Sequence, residues 1–343
     1  MTLLRAIERR ESLHPALFHE PHTSALRLFN GFTEGDPSLS VELFARCAVL
    51  YDHSASPDGD PAKARAACEA LCARFSWIEC VLWKRRSAEE PSLRNGFLLR
   101  GERSQLPSHI EEGEGSLVKY AVDLMLNRDA SFYVDAASLR AWLRRSCEGR
   151  SMLNTFAYTG SLGVAARAGG ASRVVHVDRS AKFLALAKKS FALNGWAEPS
   201  RSDLIVDDFF RAVGRLKAQS LLFDDVIVDP PFFSHSDAGT VDLEAEPLRM
   251  LDKVQPLVAH GGRVVLVNNA LFLSGERWME AIRSRCAKGY LSVREVIDVD
   301  PCSRGWATET ASAWPADPAP FAHPTKIVVL DVRRKDERRS NVR

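Results

Sequence analysis

The sequence predicts an α/β protein: a small N-terminal α/β domain, then a larger domain built on a doubly wound, mostly parallel sheet. Three observations carry that prediction. From residue 151 onward, short apolar runs ending in polar residues alternate with helical stretches, as parallel strands and their crossover helices do. Before residue 110 the apolar runs are punctuated by turns. Finally, 45% of the 343 residues are hydrophobic and 26% charged. That balance excludes a wholly disordered chain, a collagen-like fibre and a coiled coil.

Taken in order, residues 3–13 have the spacing of a short amphipathic helix. Residues 26–51 hold apolar runs separated by Asn30-Gly31 and Gly35-Asp36-Pro37, which read as strands joined by turns. AKARAACEALCARF (62–75) is helical in spacing, and WIECVLWKR (77–85) is a strand ending in the basic run Lys84-Arg85-Arg86. IEEGEGS (110–116) marks a linker, followed by strand-like SLVKYAVDL (116–124) and SFYVDAA (131–137). The regular part contributes strands at 151–158, 172–178, 203–208, 223–229 and 262–268, with helices at 180–195 and 243–262 between them. LSVREVIDV (291–299) and KIVVLDV (326–332) bring the sheet to seven strands. The intervening stretch 303–324, rich in Pro, Ala and Ser, is too long for a tight hairpin and reads as a flap. The expected division is 1–110, 111–332 and a basic tail at 333–343.

Charge narrows the partners. Lys plus Arg total 46 and Asp plus Glu 44, a net of +2, which excludes a broadly basic nucleic-acid coat. Residues 1–110 carry 14 of each sign, 111–332 carry 26 basic and 28 acidic, and 333–343 carry six basic and two acidic. The excess therefore sits in the tail, a solvated terminus or a loose phosphate tether. Local runs at Lys84, Arg85 and Arg86, and at Arg140, Arg144 and Arg145, are the candidate phosphate contacts. Seven scattered cysteines without CxxC spacing suggest reduced thiols and no metal site. The N-terminus lacks an apolar signal core and no run reaches membrane-spanning length, so a cytoplasmic protein is expected.

Ligands of doubly wound sheets bind beyond the carboxyl ends of the strands, and four polar clusters fall there. The first is Asn154-Thr155-Phe156-Ala157-Tyr158-Thr159-Gly160, where a glycine lets the backbone approach a ligand. The second is Asp178, which can accept from both hydroxyls of a ribose; its plainer role is capping the next helix. The third is Asp207-Asp208-Phe209, an acceptor for an adenine amino group with a ring beside it, or again a helix cap. The fourth, Asp229-Pro230-Pro231-Phe232-Phe233, is the most specific. Two prolines forbid both helix and ladder continuation and hold a carboxylate beside an aromatic ring. That pairing suits a flat, amino-bearing substrate such as a base. The clusters together call for a nucleoside-bearing cofactor, either a nicotinamide dinucleotide or S-adenosylmethionine, and the fourth favours the latter.

On these motifs the chain resembles the class I, Rossmann-like S-adenosylmethionine-dependent methyltransferases, specifically the bacterial large-subunit rRNA methyltransferases with an LN-F-YTG first motif and a DPP-F fourth motif. Residues 26–53 and VLWKRR (81–86) resemble the small domain that precedes the catalytic one in that family. The pattern is nearest to the C-terminal guanine-N7 half of a bifunctional guanine methyltransferase, and is also similar to a cytosine-C5 enzyme. The resemblance implies cofactor contacts by Asn154, Phe156, Tyr158, Thr159, Gly160, Asp178, Asp208 and Phe209. It also implies one by Asp135 in YVDAASLR. Asp229, Pro230, Pro231 and Phe233 match the catalytic face. Three departures stand out. Ala137 replaces an Arg common in relatives, with Arg140 one turn on. The stretch before residue 26 leaves no room for the RNA-binding PUA domain of many cytosine-C5 relatives. LVNNALF carries an Asn pair where those relatives have a nearby cysteine.

That last departure bears on chemistry. Cytosine C5 needs a thiolate adding at the neighbouring carbon, and no Cys occurs in 229–233 or 265–272. A ring or exocyclic nitrogen has, or can gain, a usable lone pair. The expected activity is methylation of a base nitrogen, guanine favoured, in ribosomal RNA, with Asn268 and Asn269 reading the base edge or merely capping the strand. The alternatives are a cytosine-C5 methyltransferase, a nicotinamide-dependent oxidoreductase, and a non-catalytic RNA-binding protein on the same fold.

Overall fold

The computed structural model describes residues 2–113, 115–306 and 314–334. Residues 335–343 of the expected tail and 307–313 of the expected flap lie outside the described residues. The chain forms two compact units, Met1–Ala136 with Asp300–Ala313, and Ala137–Val299 with Trp314–Arg343. The boundary thus falls at 136/137 and not at the expected 110/111. The hairpin of His109–Glu112 with Val118–Ala121 explains the shift: the Glu111 amide donates to the Thr23 carbonyl at 2.8 Å, which ties the hairpin to the first unit.

The first unit is a five-stranded sheet in the order β1 (Ala25–Asn30), β2 (Leu39–Phe44), β3 (Cys47–Asp52), β4 (Cys80–Arg85), β5 (Phe97–Arg100). Only β3 and β4 pair in parallel, through a crossover helix, Pro61–Arg74. That helix starts where it does because Asp60 accepts from the Lys63 amide and Pro61 opens the first turn. Ile7, Leu28, Val41, Leu50, Leu71 and Val81 fill its core. The hairpin β6 (His109–Glu112) and β7 (Val118–Ala121) follows. SFYVDAA, expected as a strand, is instead a 3-10 turn at Val134–Ala136 leading into the helix Ala137–Ser146.

The second unit holds the seven-stranded sheet. Its strands are β8 (Ser151–Thr155), β9 (Arg173–Asp178), β10 (Leu204–Val206), β11 (Phe223–Val228), β14 (Val258–Asn268), β15 (Leu291–Val296) and β16 (Lys326–Val332), and a separate hairpin pairs β12 (Phe233–Ser236) with β13 (Gly239–Asp242). The sheet order is β10-β9-β8-β11-β14-β16-β15, with β16 antiparallel to both of its neighbours. The order reverses between β8 and β11, the crevice where doubly wound sheets bind their ligands. The helix expected at 243–262 shrinks to Arg249–Val254, because Pro247 and Pro256 bracket it and the chain enters β14 at Val258.

Helices Ala137–Ser146 and Ser161–Ala168 pack side by side. A Cβ on Gly169 would meet the Leu143 and Arg144 carbonyls, so the C-terminal ends of the two helices coincide. The two therefore run in the same direction. Because Ser161–Ala168 leaves the carboxyl end of β8, the first turn of the other helix, with Ala137 and Arg140, also lies toward that end.

Candidate active site

The turn after β8 is unusual in its backbone. Phe156, Tyr158 and Gly160 have φ of 53°, 50° and 80°. Left-handed geometry at two aromatic residues costs on the order of 1–3 kcal/mol each and persists where surrounding contacts impose it. Asp178, at the end of β9, supplies those contacts. One carboxylate oxygen accepts from the Tyr158 amide at 2.8 Å and the other from the Ser180 amide at 2.8 Å. Burial pushes the Asp178 pKa up, against the Ser180 and Tyr158 bonds, the Arg179 charge and the Arg179 amide, which pull it down. A carboxylate has about four acceptor sites, so it can take a ribose hydroxyl beside these amides. The cap of the helix Ala181–Leu193 is Ser180 itself. Asp178 is therefore not needed for that role.

The glycines of the turn have a packing reason. A Cβ at Gly160 would lie 2.5 Å from the Ala187 Cβ, and one at Gly163 would lie 2.2 Å from the His176 ring. His176 is fully buried, and desolvation lowers its pKa to about 4. Asn154 faces it, with Nδ2 3.4 Å from Nδ1. Asn154 and Thr159 are buried in the core, whereas Phe156 and Tyr158 are half-buried at the crevice.

Two expected contacts take structural roles. Asp208 is the N-cap of the helix Phe209–Ala218, accepting from the Phe210 amide at 2.8 Å. Phe209 is 3% exposed and stacks on Phe156 at 4.6 Å, so its ring face is already taken and not offered to an adenine. Asp207 accepts from the Asp208 amide and pairs with Arg211 and Arg215.

Asp229 is half-buried directly after β11, Pro230 is buried, and Pro231 lies at the surface. Phe232 and Phe233 are 42% and 58% exposed. Phe233 opens the β12–β13 hairpin, in which it pairs with Asp242, a pairing that no local pattern marks. Asn268 is a buried strand cap: its Oδ1 accepts from the Ala270 amide at 2.9 Å and its Nδ2 donates to the Leu243 carbonyl. That occupies the group expected to read a base edge. Asn269 is half-buried, and its Oδ1 is buried with no hydrogen-bond partner among the described residues. Beyond it, Leu271 and Phe272 are exposed, and the signal for them in the sequence is an apolar pair that follows Asn-Asn at a strand end.

The expected phosphate contacts fare unevenly. Lys84 is fully buried and donates to the carbonyls of Asn95, Asn127 and Asp129, so it fastens the first unit and presents no cation to solvent. Burial lowers its pKa to about 7. Arg85 and Arg86 are half-buried; Arg86 pairs with Asp129 at 2.6 Å. Arg140 is fully buried at the start of its helix and is no surface cation either, whereas Arg145 is exposed. Asp135 is half-buried in the first unit, within electrostatic reach of Arg27.

The cysteines of the second unit lie away from the crevice. In the second unit they are Cys147 and Cys286. Cys147 lies 3.9 Å from Asp225 near the start of β11, at the opposite end of the strands, and burial pushes its pKa up to about 12. Cys286 closes the helix that leads back to the start of β15, again at the amino ends. Among the described residues no helix is long and apolar enough to cross a membrane.

Comparison with known proteins agrees with this geometry. The family description "S-adenosylmethionine-dependent methyltransferase" matches residues 98–304. The chain is similar to ribosomal RNA large subunit methyltransferase I of Shewanella amazonensis, 30% identical over 239 residues that cover 68% of this chain and 58% of that protein. The same enzyme of Aeromonas hydrophila gives 30% over 240 residues, with the same two coverages. The chain thus matches little more than half the length of these curated relatives. Among solved structures, a Streptococcus mutans S-adenosylmethionine-dependent methyltransferase has a TM-score of 0.73 at 17% identity, covering 96% of this chain and 81% of that one. An M. jannaschii tRNA methyltransferase gives 0.53 at 15%, covering 96% and 79%. At such identities these likenesses speak to the fold.

Proposed function

Because the chain belongs to the S-adenosylmethionine-dependent methyltransferase family, we propose that it methylates a base nitrogen of ribosomal RNA, guanine favoured. Family membership displaces the nicotinamide reading. The residues suit the cofactor. Asp178 offers lone pairs to ribose hydroxyls beside a strained, ligand-facing turn, and Asp178 and Asp229 place carboxylates around the crevice that would hold a sulfonium cation. Arg140, buried at the crevice end of its helix, takes the carboxylate that Ala137 cannot hold.

S-adenosylmethionine, when bound, supplies an electrophilic methyl group. The chain's residues have three tasks. They align the acceptor nitrogen with that methyl, exclude water, and fix the base. Alignment alone contributes up to about 7–11 kcal/mol in favourable systems. Asp229 accepts from a base amino group, Pro230 and Pro231 keep that carboxylate from turning away, and Phe233 stacks on the ring. The observation that carries nitrogen over carbon is the position of the thiols. Neither cysteine of the second unit is at the crevice, and burial pushes the Cys147 thiol up to about 12, far from a usable nucleophile.

The test is methyl transfer from labelled cofactor to an unmodified large-subunit rRNA transcript, followed by nucleoside mass spectrometry. Methylguanosine is expected. A 5-methylcytidine product would overturn the nitrogen assignment, and RNA binding without any transfer would support the non-catalytic alternative.

A further inference from the structure

Residues beyond β14 form a second lip of the crevice. Strands β11 and β14 are parallel neighbours in register, Val228 beside Leu266, so Asp229–Phe233 and Asn268–Phe272 leave the sheet side by side. A short relay joins them. The Leu243 amide donates to the Phe232 carbonyl at 3.1 Å, and the Leu243 carbonyl accepts from the Asn268 amide group at 3.4 Å. From beneath, the buried Lys326 ammonium donates to the Ala270 carbonyl at 3.0 Å and the Pro324 carbonyl at 2.7 Å. The backbone of this lip is thus anchored by buried polar groups, yet its outer side chains are left in water.

Those side chains are aromatic. In the second unit the exposed phenylalanines are Phe232, Phe233 and Phe272, the last at 60%, and all three lie on the two lips. Beside them Asn269 keeps a buried Oδ1 without a donor among the described residues. An acceptor with no donor and adjacent rings match a planar ligand carrying an amino group. They do not match the continuous apolar face of a protein partner, because Asp229 and Asn269 interrupt it.

We propose that Phe272 is a second base-stacking residue and Asn269 a reader of the base's amino edge. Both act on an unpaired base of the RNA substrate, on the lip next to Asp229–Phe233. The proposal rests on the RNA methyltransferase reading and deepens it. A stacked ring tolerates any base, whereas Asn269 and Asp229 both ask for amino donors, so together they admit guanine, adenine or cytosine and disfavour uracil.

The experiment has two readouts on full-length protein with S-adenosylhomocysteine or the cofactor: quenching of a single-stranded RNA oligonucleotide carrying 2-aminopurine, and steady-state transfer to the rRNA transcript. Phe272→Ala is expected to abolish the quenching and raise the KM for RNA about tenfold. Cofactor affinity and melting temperature should stay unchanged, and Phe272→Tyr should restore both RNA readouts. Wild-type quenching and KM in Phe272→Ala would overturn the proposal, as would a wild-type protein that never quenches the probe. If the wild type quenches but transfers no methyl to RNA, the methyltransferase reading fails alone, and loss of quenching in Phe272→Ala still supports the stacking role.

Discussion

The two ends of the seven-stranded sheet treat their polar groups in opposite ways. At the amino ends, the buried Asp225 carboxylate receives Arg150 at 2.8 and 2.9 Å and Arg263 at 2.7 and 2.6 Å. Arg263 also donates to the Ser146 carbonyl and lies 4.7 Å over the Trp142 ring. The donors and acceptors of this cluster answer one another. At the carboxyl ends, Asn269 keeps an acceptor without a donor among the described residues, three phenyl rings face water, and the β8 turn holds left-handed aromatic residues. One sheet therefore carries a closed, ion-paired end and an open end where exposed rings stand beside an acceptor that has no donor among the described residues. The buried ion-pair cluster is a guide to stability at one end, and the exposed rings are a guide to chemistry at the other.

The sharpest way to break this contrast is at the closed end. Asp225→Ala strands two guanidinium groups, and loss of about 3–5 kcal/mol is expected in urea unfolding. Cofactor affinity of the folded protein should stay unchanged. A weakened affinity would mean that the two ends are coupled.

His176 offers a test between the ends, through pH. Its pKa falls from 6.5 to about 4 on burial, so the unfolded chain binds more protons between those values. Stability is full above pH 6.5 and declines as pH falls toward 4, by about 3 kcal/mol at most. The difference between wild type and His176→Gln, followed by urea titration, should show that slope and level off below about pH 4.

At the open end, Asp178→Asn is expected to weaken cofactor binding by about 10- to 100-fold, or about 1.4–2.8 kcal/mol, in calorimetry. The amide keeps the shape but loses a charged acceptor. Phe233→Ala should have the smallest effect on folding, within about 0.5 kcal/mol, because its ring is mostly exposed. Its RNA turnover should fall all the same. A large loss of stability would place Phe233 in the structural end of the comparison.

Much of the open end was legible in the sequence. β-branched runs that stop at Asn, Asp or Pro mark strands whose last residues face a crevice, and β9, β11 and β14 followed that rule. The failures share a cause: sequence shows a residue's type but not its partners. Lys84 looked like part of a surface run, yet three backbone carbonyls hold it in the interior. Phe209 looked ligand-facing, yet Phe156 covers it. Apolar spacing at 243–262 promised a long helix that two prolines divide. The return of Asp300–Arg304 to the first unit depends on contacts nearly 300 residues apart, such as the Arg10 guanidinium on the Cys302 carbonyl at 2.9 and 3.1 Å, which no local pattern records.

The contact between Gly163 and His176 limits how this chain can diverge. A methyl group at 163 would sit 2.2 Å from the imidazole Cε1 and 2.8 Å from the Val174 side chain. Alanine at 163 is therefore damaging while histidine occupies 176, and becomes tolerable only after that ring has been traded for something smaller. The order of the two changes matters, so descendants should carry neither change, the change at 176 alone, or both. A double-mutant cycle with Gly163→Ala and His176→Ser should show the pair tolerated better than the sum of its parts.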